Sequence, residues 1–478
     1  MIHLAFADLF VIGLYFAAVL FVGYRTSAKE GSGEEDFFLA GRSLTLPVFV
    51  MTLVSTWYGG ILGVGEFSYR YGISNWVMQG VPYYFFAALF AWLLAEKVRN
   101  TNFVSIPDKL EAAYDRKTAI LGSFLTLILM TPAPYVLMLG VFLQMMFGWS
   151  LVVCLIVTAI VAVSYLFWGG FKSDVETDML EFVLMFLGFA VIIPFCAIRY
   201  GGFEFLRMHL PPLHLTWHGG NSVQFILVWF FIALWTLVDP AFHQRCYAAK
   251  DGATARRGIL VSIIFWMLFD CLTAAAGLYA RAALPHLADP VQAYPMLAEA
   301  VLPPIAKGIF YVGMLATIMS TLNTLAFVSA QTLGRDIVVR LWSTRKSFSP
   351  DRLRVAKLNT RWTQVGLVVS FLGSITIAVM MPSVIQIWYT LGTIVVPGLL
   401  VPLVVSYFPR LSMSARFGFL TMLFGWIVSL SWLVAGHLGG RGGEYPFGVE
   451  PMYPGLFVAV AIWLVGFSRR IHEEKKGG

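Results

Sequence analysis

Charged side chains are scarce in this chain: Lys, Arg, Asp and Glu make up 12% of its 478 residues, about half the share of an ordinary globular domain. A water-facing surface around one core is thereby excluded. Cysteine is scarce too. Cys154, Cys196, Cys246 and Cys271 lie in or beside apolar runs with no CxxC spacing, so neither a disulfide frame nor a zinc site is expected. Histidine is missing from the deep interior of the apolar runs, with His243 near an inner end and His437 at an outer end. An intramembrane enzyme would need a base and a nucleophile in one cavity, so no catalytic role is expected. His209, His214 and His218 share a stretch with Pro211, Pro212 and the Gly219-Gly220 pair, which reads as an irregular loop rather than a metal site. Segments between apolar runs reach only about 20 to 25 residues, the size of linkers and short helices. The first run lacks a basic leader and a small-residue cleavage site, so no cleaved signal peptide is expected.

What fills the chain is hydrocarbon. Hydrophobic residues are 59% of the total and the mean hydropathy is +0.77. Runs long enough to cross a bilayer recur near 5–24, 47–67, 76–97, 119–147, 150–170, 177–200, 223–245, 257–283, 303–336, 361–381, 384–408, 414–437 and 451–468, predicting an all-α polytopic membrane protein of about 13 spans. With the N-terminus outside, 27 of the 33 Lys and Arg fall on the inner side, eight of them between Arg335 and Arg361. The C-terminus is then cytoplasmic. The formal charge of +7 reports topology and contact with an anionic bilayer, and nucleic acid is not an expected partner.

Two runs carry breaks. The second reads PVFVMTLVSTWYGGILGVGEF, with Gly59 and Gly60 after the polar pair Ser55-Thr56, and the seventh reads FFIALWTLVDPAFHQRC, with Asp239-Pro240 inside it. Clustered Gly and an internal Pro unwind a helix, and unwound backbone at that depth is tolerated only where it lines a cavity or is buried in protein. The breaks lie five spans apart, in units 47–200 and 223–408; five is odd, so the second unit is inverted. Paired breaks in inverted halves point to a secondary transporter's binding site. In the ninth run Thr317, Ser320, Thr321, Asn323 and Thr324 crowd eight residues. Four hydroxyls on one helical face suit a small hard cation, or bond their own helix carbonyls. Asp239 and Asp270 are carboxylates within the membrane, functional by default because unpaired burial is too costly.

DFFLAGRSL (36–44), FWGGFKSDVETD (167–178), DPAFHQRCYAAKD (239–251) and STLNTLAFVSAQTLGRDI (320–337), in this order and spacing, resemble segments of the sodium/solute symporter family, which includes proline, pantothenate, sugar and sialic acid transporters. The resemblance covers nearly the whole chain. It implies a LeuT-type five-plus-five inverted repeat with one extra N-terminal helix (1–46) and two extra C-terminal helices (409–478), in a bacterial-type cytoplasmic membrane. It also implies Na+ as the coupling ion, held by the hydroxyls of Ser320 and Thr321 and the carbonyls of Met51, Val54 and Thr317. A second Na+, as in some members, would use Asp178 and Thr324. The solute positions that match are Leu53, Ser55, Trp57, Tyr58 and Gln79, with Trp235 as an aromatic cover, and Gly59, Gly60 and Pro240 mark the unwound hinges.

The expected function is sodium-coupled import of a small polar nutrient by alternating access. The sugar members' run of amides and acids is absent, and the fourth run has no internal Lys or Arg for a sialic acid carboxylate. Asp239 or Asp270 could receive an amine, and Trp57, Tyr58, Trp235, Trp388 and Tyr389 suit a cation through their ring faces. An amino acid or other amine-bearing zwitterion is therefore the expected solute, ahead of a carboxylate or a sugar. A sensor of the same fold signalling through a partner protein is the alternative; the tail after Arg469 holds no output domain. The partners expected are the solute, sodium and lipid, with the chain working as a monomer or weak oligomer.

Overall fold

A computed structural model describes residues 2–27, 33–342, 352–381, 383–438 and 445–477. The middle of the basic run between Arg335 and Arg361, residues 343–351, lies outside the described residues. Among the described residues eleven helices are long and apolar enough to cross a membrane, and the pair Leu46–Trp57 and Ile61–Tyr71, bent by 60°, forms a further broken span. One of the eleven, Leu151–Tyr200, has 50 residues. At 1.5 Å per residue it would reach about 75 Å, more than twice the hydrocarbon thickness. It divides at Gly170, where φ is 57° and ψ is −148°. A Cβ there would stand 2.6 Å from Phe37, so glycine serves both the backbone angle and the close approach. The described residues thus hold thirteen spans, as the apolar runs predict.

Local chemistry explains the ends. Ser150, Ser222, Asp251 and Ser383 cap the fifth, seventh, eighth and eleventh spans by accepting from backbone N–H groups in the first turn. The seventh span is interrupted twice: helix Val223–Ile232 gives way to a short turn, and Asp239 at ψ 117° separates this from helix Pro240–Ala248. Pro240, at the first helical position, has no N–H to leave unpaired there. The ninth span, Ala306–Trp342, is the core of the molecule, with its most apolar window wholly buried. It packs against the sixth span, which begins after Gly170, where Gly188 and Gly313 meet: a Cβ on Gly188 would lie 2.7 Å from the Gly313 Cα. Small residues let two membrane helices approach this closely, which presses the polar side chains above the crossing together.

Candidate functional site

The broken second span ends its first half at Trp57, so the last carbonyls of that half have no partner within the helix. The ninth span supplies donors. Ser320 Oγ donates to the Ser55 carbonyl at 2.8 Å, and Thr321 Oγ1 donates to the Thr56 carbonyl at 2.5 Å and lies 3.5 Å from that of Ser55. Both hydroxyls also approach the Thr317 carbonyl, at 3.3 and 3.5 Å. Two hydroxyls and three carbonyls, all neutral oxygens and all buried, therefore converge where the chain unwinds. This is a donor set suited to a small hard cation. Gly59 keeps the approach open, because a Cβ there would stand 2.0 Å from Thr321 Oγ1.

The carbonyl register differs from the one the resemblance implies. The hydroxyls of Ser320 and Thr321 bond the carbonyls of Ser55 and Thr56, whereas the Met51 carbonyl accepts from the Ser55 hydroxyl at 2.9 Å and, among the described residues, no side-chain hydroxyl bonds that of Val54. Met51 and Val54 sit one turn further from the break, where carbonyls still find intrahelical donors. The Thr317 hydroxyl is spent on its own helix, donating to the Gly313 carbonyl at 2.6 Å.

The place expected for a second cation holds a guanidinium. Arg245, fully buried on the second half of the seventh span, donates from Nη2 to Asp178 Oδ2 at 3.1 Å, to Thr324 Oγ1 at 3.0 Å and to Thr52 Oγ1 at 2.9 Å, and bonds Thr56 Oγ1 as well. Thr324 Oγ1 in turn donates to Asp174 Oδ2 at 2.6 Å. Asp178 and Thr324 are therefore brought together as expected, with an internal cation among them in place of an ion. Neither Arg245 nor Asp174 is singled out by local pattern. The signal that could have found Arg245 is an ionisable residue at the end of an apolar run, close to the one that marks Asp239; Asp174 falls between the fifth and sixth runs, where no such signal exists.

In front of the break lies a cavity of about 130 Å³. Its walls include Trp57, Tyr58, Gln79, Trp235, Asp239 and Asp270 of the expected solute residues, together with Gly60 and Thr321. Leu53 and Ser55 are buried and turned away from it; Ser55 bonds the Met51 and Thr52 carbonyls instead. Nine of the twenty lining residues are aromatic, and Tyr83, Tyr84, Tyr135, Trp229 and Trp266 among them come from the third, fourth, seventh and eighth spans at positions that no motif marks. Trp388 closes over Gly60, where a Cβ would lie 2.1 Å from its ring. Tyr389 does not reach the cavity and bonds Glu450. The two acids differ in their ties. Asp239 caps its half-helix through the Phe242 N–H at 3.0 Å and accepts from Trp235 Nε1 at 3.1 Å. Asp270 accepts from the hydroxyls of Tyr58 and Tyr84, one on each oxygen, and the lining contains no Lys, Arg or His.

Beyond the cavity, at the end of the ninth span, Arg335 pairs with Asp108 at 2.8 Å and Arg340 pairs with the same carboxylate at 2.6 Å, tying helix Ile106–Ala113 to that span. Burial pushes the Asp108 carboxyl up, but the two guanidiniums more than offset this and hold it below the usual carboxylate range.

The chain is similar to known proteins along most of its length. The family model described as Sodium:solute symporter family matches residues 37–425. The sodium/pantothenate symporter of Haemophilus influenzae is 28% identical over 338 residues, 67% of this chain and 69% of that protein. The high-affinity choline transporter 1 of Drosophila melanogaster is 24% identical, covering 93% of this chain and 72% of its own. A solved Na+-coupled sialic acid symporter, in a substrate-bound outward-open state, superposes with a TM-score of 0.77 at 16% identity and covers 97% of both chains. A closed nucleobase-cation symporter superposes at 0.60.

Proposed function

The chain belongs to the sodium:solute symporter family, and from that premise we propose that it carries a small amine-bearing zwitterion such as an amino acid across the membrane, driven by Na+ at the break of its second span. Family membership supports sodium-coupled symport and transport rather than catalysis. The single observation that carries the finer reading is Thr321, whose hydroxyl bonds the Thr56 carbonyl while its side chain lines the solute cavity. Na+ held by the hydroxyls of Ser320 and Thr321 and the carbonyls of Ser55, Thr56 and Thr317 would join the broken second span to the ninth and stiffen one wall of that cavity. A solute that needs the stiffened wall then binds more tightly with sodium present, and by linkage sodium binds more tightly with solute present.

The solute class follows from the walls. A cavity of about 130 Å³ is close to the volume that admits benzene, about 150 Å³. Two carboxylates and nine aromatic rings with no basic side chain favour a positive group on the solute, and disfavour a solute that is only a carboxylate. The carboxylate of a zwitterion would meet the free N–H groups at the start of helix Ile61–Tyr71. We further read 47–200 and 223–408 as the two inverted repeats, flanked by 1–46 and 409–478, with the N-terminus outside a bacterial-type inner membrane and the chain acting as a monomer or weak oligomer.

The test is uptake into proteoliposomes with an inward Na+ gradient against the same gradient of K+, using a panel of amino acids, betaines, carboxylates and sugars. Sodium-dependent accumulation of an amine-bearing solute is expected. Accumulation of sugars alone would overturn the solute class.

A further inference from the structure

Behind the broken helices three carboxyl groups face one guanidinium. Asp174, Asp178 and Glu181 stand at i, i+4 and i+7 on the sixth span, share one face and are fully buried. Fully ionised, they would set three negative charges against the single positive charge of Arg245, with no contact to water. Surplus buried charge of this kind is strongly disfavoured and must be neutralised.

The compensation is uneven. Asp178 has Arg245 at 3.1 Å and the hydroxyls of Thr52 and Thr56. Asp174 has Thr324 at 2.6 Å and Arg245 at 3.8 Å. Among the described residues Glu181 has only the Tyr15 hydroxyl, which donates to Oε1 at 3.0 Å, and its Oε2 has no hydrogen-bond partner. Two further buried polar side chains stand in the same place, Asn323 and Tyr165, which face each other and, among the described residues, bond no other side chain. The charged and titratable groups around Glu181 are thus Tyr15 from the first span, Tyr165 from the fifth, Asp174 and Asp178 on its own helix, and Arg245 from the seventh. The ninth span contributes only neutral groups, Asn323 and Thr324.

We propose that Glu181 is a proton-binding site linked to the binding of sodium. A proton fits where a second metal ion does not. Arg245 already takes the hydroxyl oxygens of Thr52, Thr56 and Thr324 that a metal would need, and among the described residues no three His, Cys, Asp or Glu are set to hold a metal ion. A proton needs one lone pair and no coordination shell. The link to sodium runs through Thr56, whose hydroxyl belongs to the acid cluster and whose carbonyl accepts from Thr321. A positive charge added on either side of Thr56 weakens the other, and the effect is reciprocal. Sodium therefore binds more tightly as pH rises, and its binding releases a proton from the Glu181 carboxyl to the buffer. The coupling rests on the sodium site proposed above; the proton site itself does not.

The experiment titrates the purified full chain with NaCl in weakly buffered detergent solution, following sodium affinity by thermal shift and released protons with an indicator dye, for the wild type, Glu181→Gln and Tyr15→Phe. The wild type should bind sodium about fivefold more tightly at about pH 8 than at about pH 6, the low end of usual coupling, and should release protons on binding. Glu181→Gln mimics the protonated form, so it should bind sodium with a flat pH profile and release none. Tyr15→Phe removes the donor that favours the carboxylate, so its profile should move to higher pH; this variant decides the matter where Glu181→Gln fails to fold. A wild-type pH profile in either variant, or no proton release by the wild type on sodium binding, overturns the proposal. A wild type that binds no sodium at any pH sinks the sodium site instead, and is told apart by its lack of any thermal shift.

Discussion

Three hydroxyls on the ninth span, all within five residues, should respond differently to removal. Ser320 and Thr321 spend their hydroxyls on the orphan carbonyls of Ser55 and Thr56, whereas Thr317 spends its own on Gly313 within its helix. If the first two hold sodium, Ser320→Ala and Thr321→Ala each remove one of five ion-facing oxygens. A hydrogen bond or ligand contact to a charged group contributes about 1.5–3 kcal/mol, and about 1.4 kcal/mol is a tenfold change in affinity. The sodium concentration for half-maximal uptake should therefore rise roughly 10- to 100-fold in each. Thr321→Ala should sit at the upper end, because that side chain also lines the solute cavity. Thr317→Ala keeps its carbonyl and should shift the value by less than about threefold, or about 0.6 kcal/mol. The assay is a sodium titration of solute uptake in proteoliposomes at constant ionic strength, with thermal shift of each purified variant as the check on folding. Equal shifts in all three variants, or none in Ser320→Ala and Thr321→Ala, would refute the assignment.

Asp270→Asn leaves an acceptor for one tyrosine hydroxyl but removes the charge, and should weaken binding of amine-bearing solutes about tenfold or more; unchanged affinity in a binding titration would make Asp270 structural. Gly59→Ala places a Cβ 2.0 Å from Thr321 Oγ1, so an overpacking cost of about 1–3 kcal/mol should appear as a lower Tm together with weakened sodium dependence. Asp108→Asn deprives Arg335 and Arg340 of a shared carboxylate and should loosen the tie between helix Ile106–Ala113 and the ninth span, read as faster proteolysis there. His214, in the loop before the seventh span, donates from Nε2 to the Tyr69 carbonyl at 3.0 Å. Burial pushes its imidazole below the usual value, and Arg281 adds to this against the raising pull of that carbonyl. Because the folded value is depressed, the neutral form's contribution to stability is complete above the ordinary value of about 6.5 and is lost as pH falls from there toward the folded value. The Tm of the wild type should fall across that window, and a His214→Gln variant with the same slope would refute the cause.

The parts of this molecule that can be read from the sequence are those whose physics is local. Gly59-Gly60 and Asp239-Pro240 unwind a helix wherever they stand, so both breaks appear where the residues put them, and the apolar runs give thirteen spans because hydrocarbon thickness sets their length. Ser320 and Thr321 are legible as a hydroxyl pair, but not which carbonyls they reach: Ser55 and Thr56, rather than Met51 and Val54, face them because the half-helix ends at Trp57, and a side-chain motif does not say where a backbone runs out of donors. Arg245 is harder still. It lies 67 residues from Asp178 in the chain, and the two meet only in the packed fold, where the sixth and seventh spans face each other across the end of the broken second. Yet its presence was readable even though its partner was not. An arginine at the end of FFIALWTLVDPAFHQR and the acids Asp178 and Glu181 at the start of the sixth run each violate the apolar pattern around them, and Asp174 lies one turn before these on the same face. Membrane interiors tolerate such violations only in compensating sets. The acids outnumber the arginine, so charge counting alone calls for a further positive partner in the cluster, and that surplus is what a proton on Glu181 would balance.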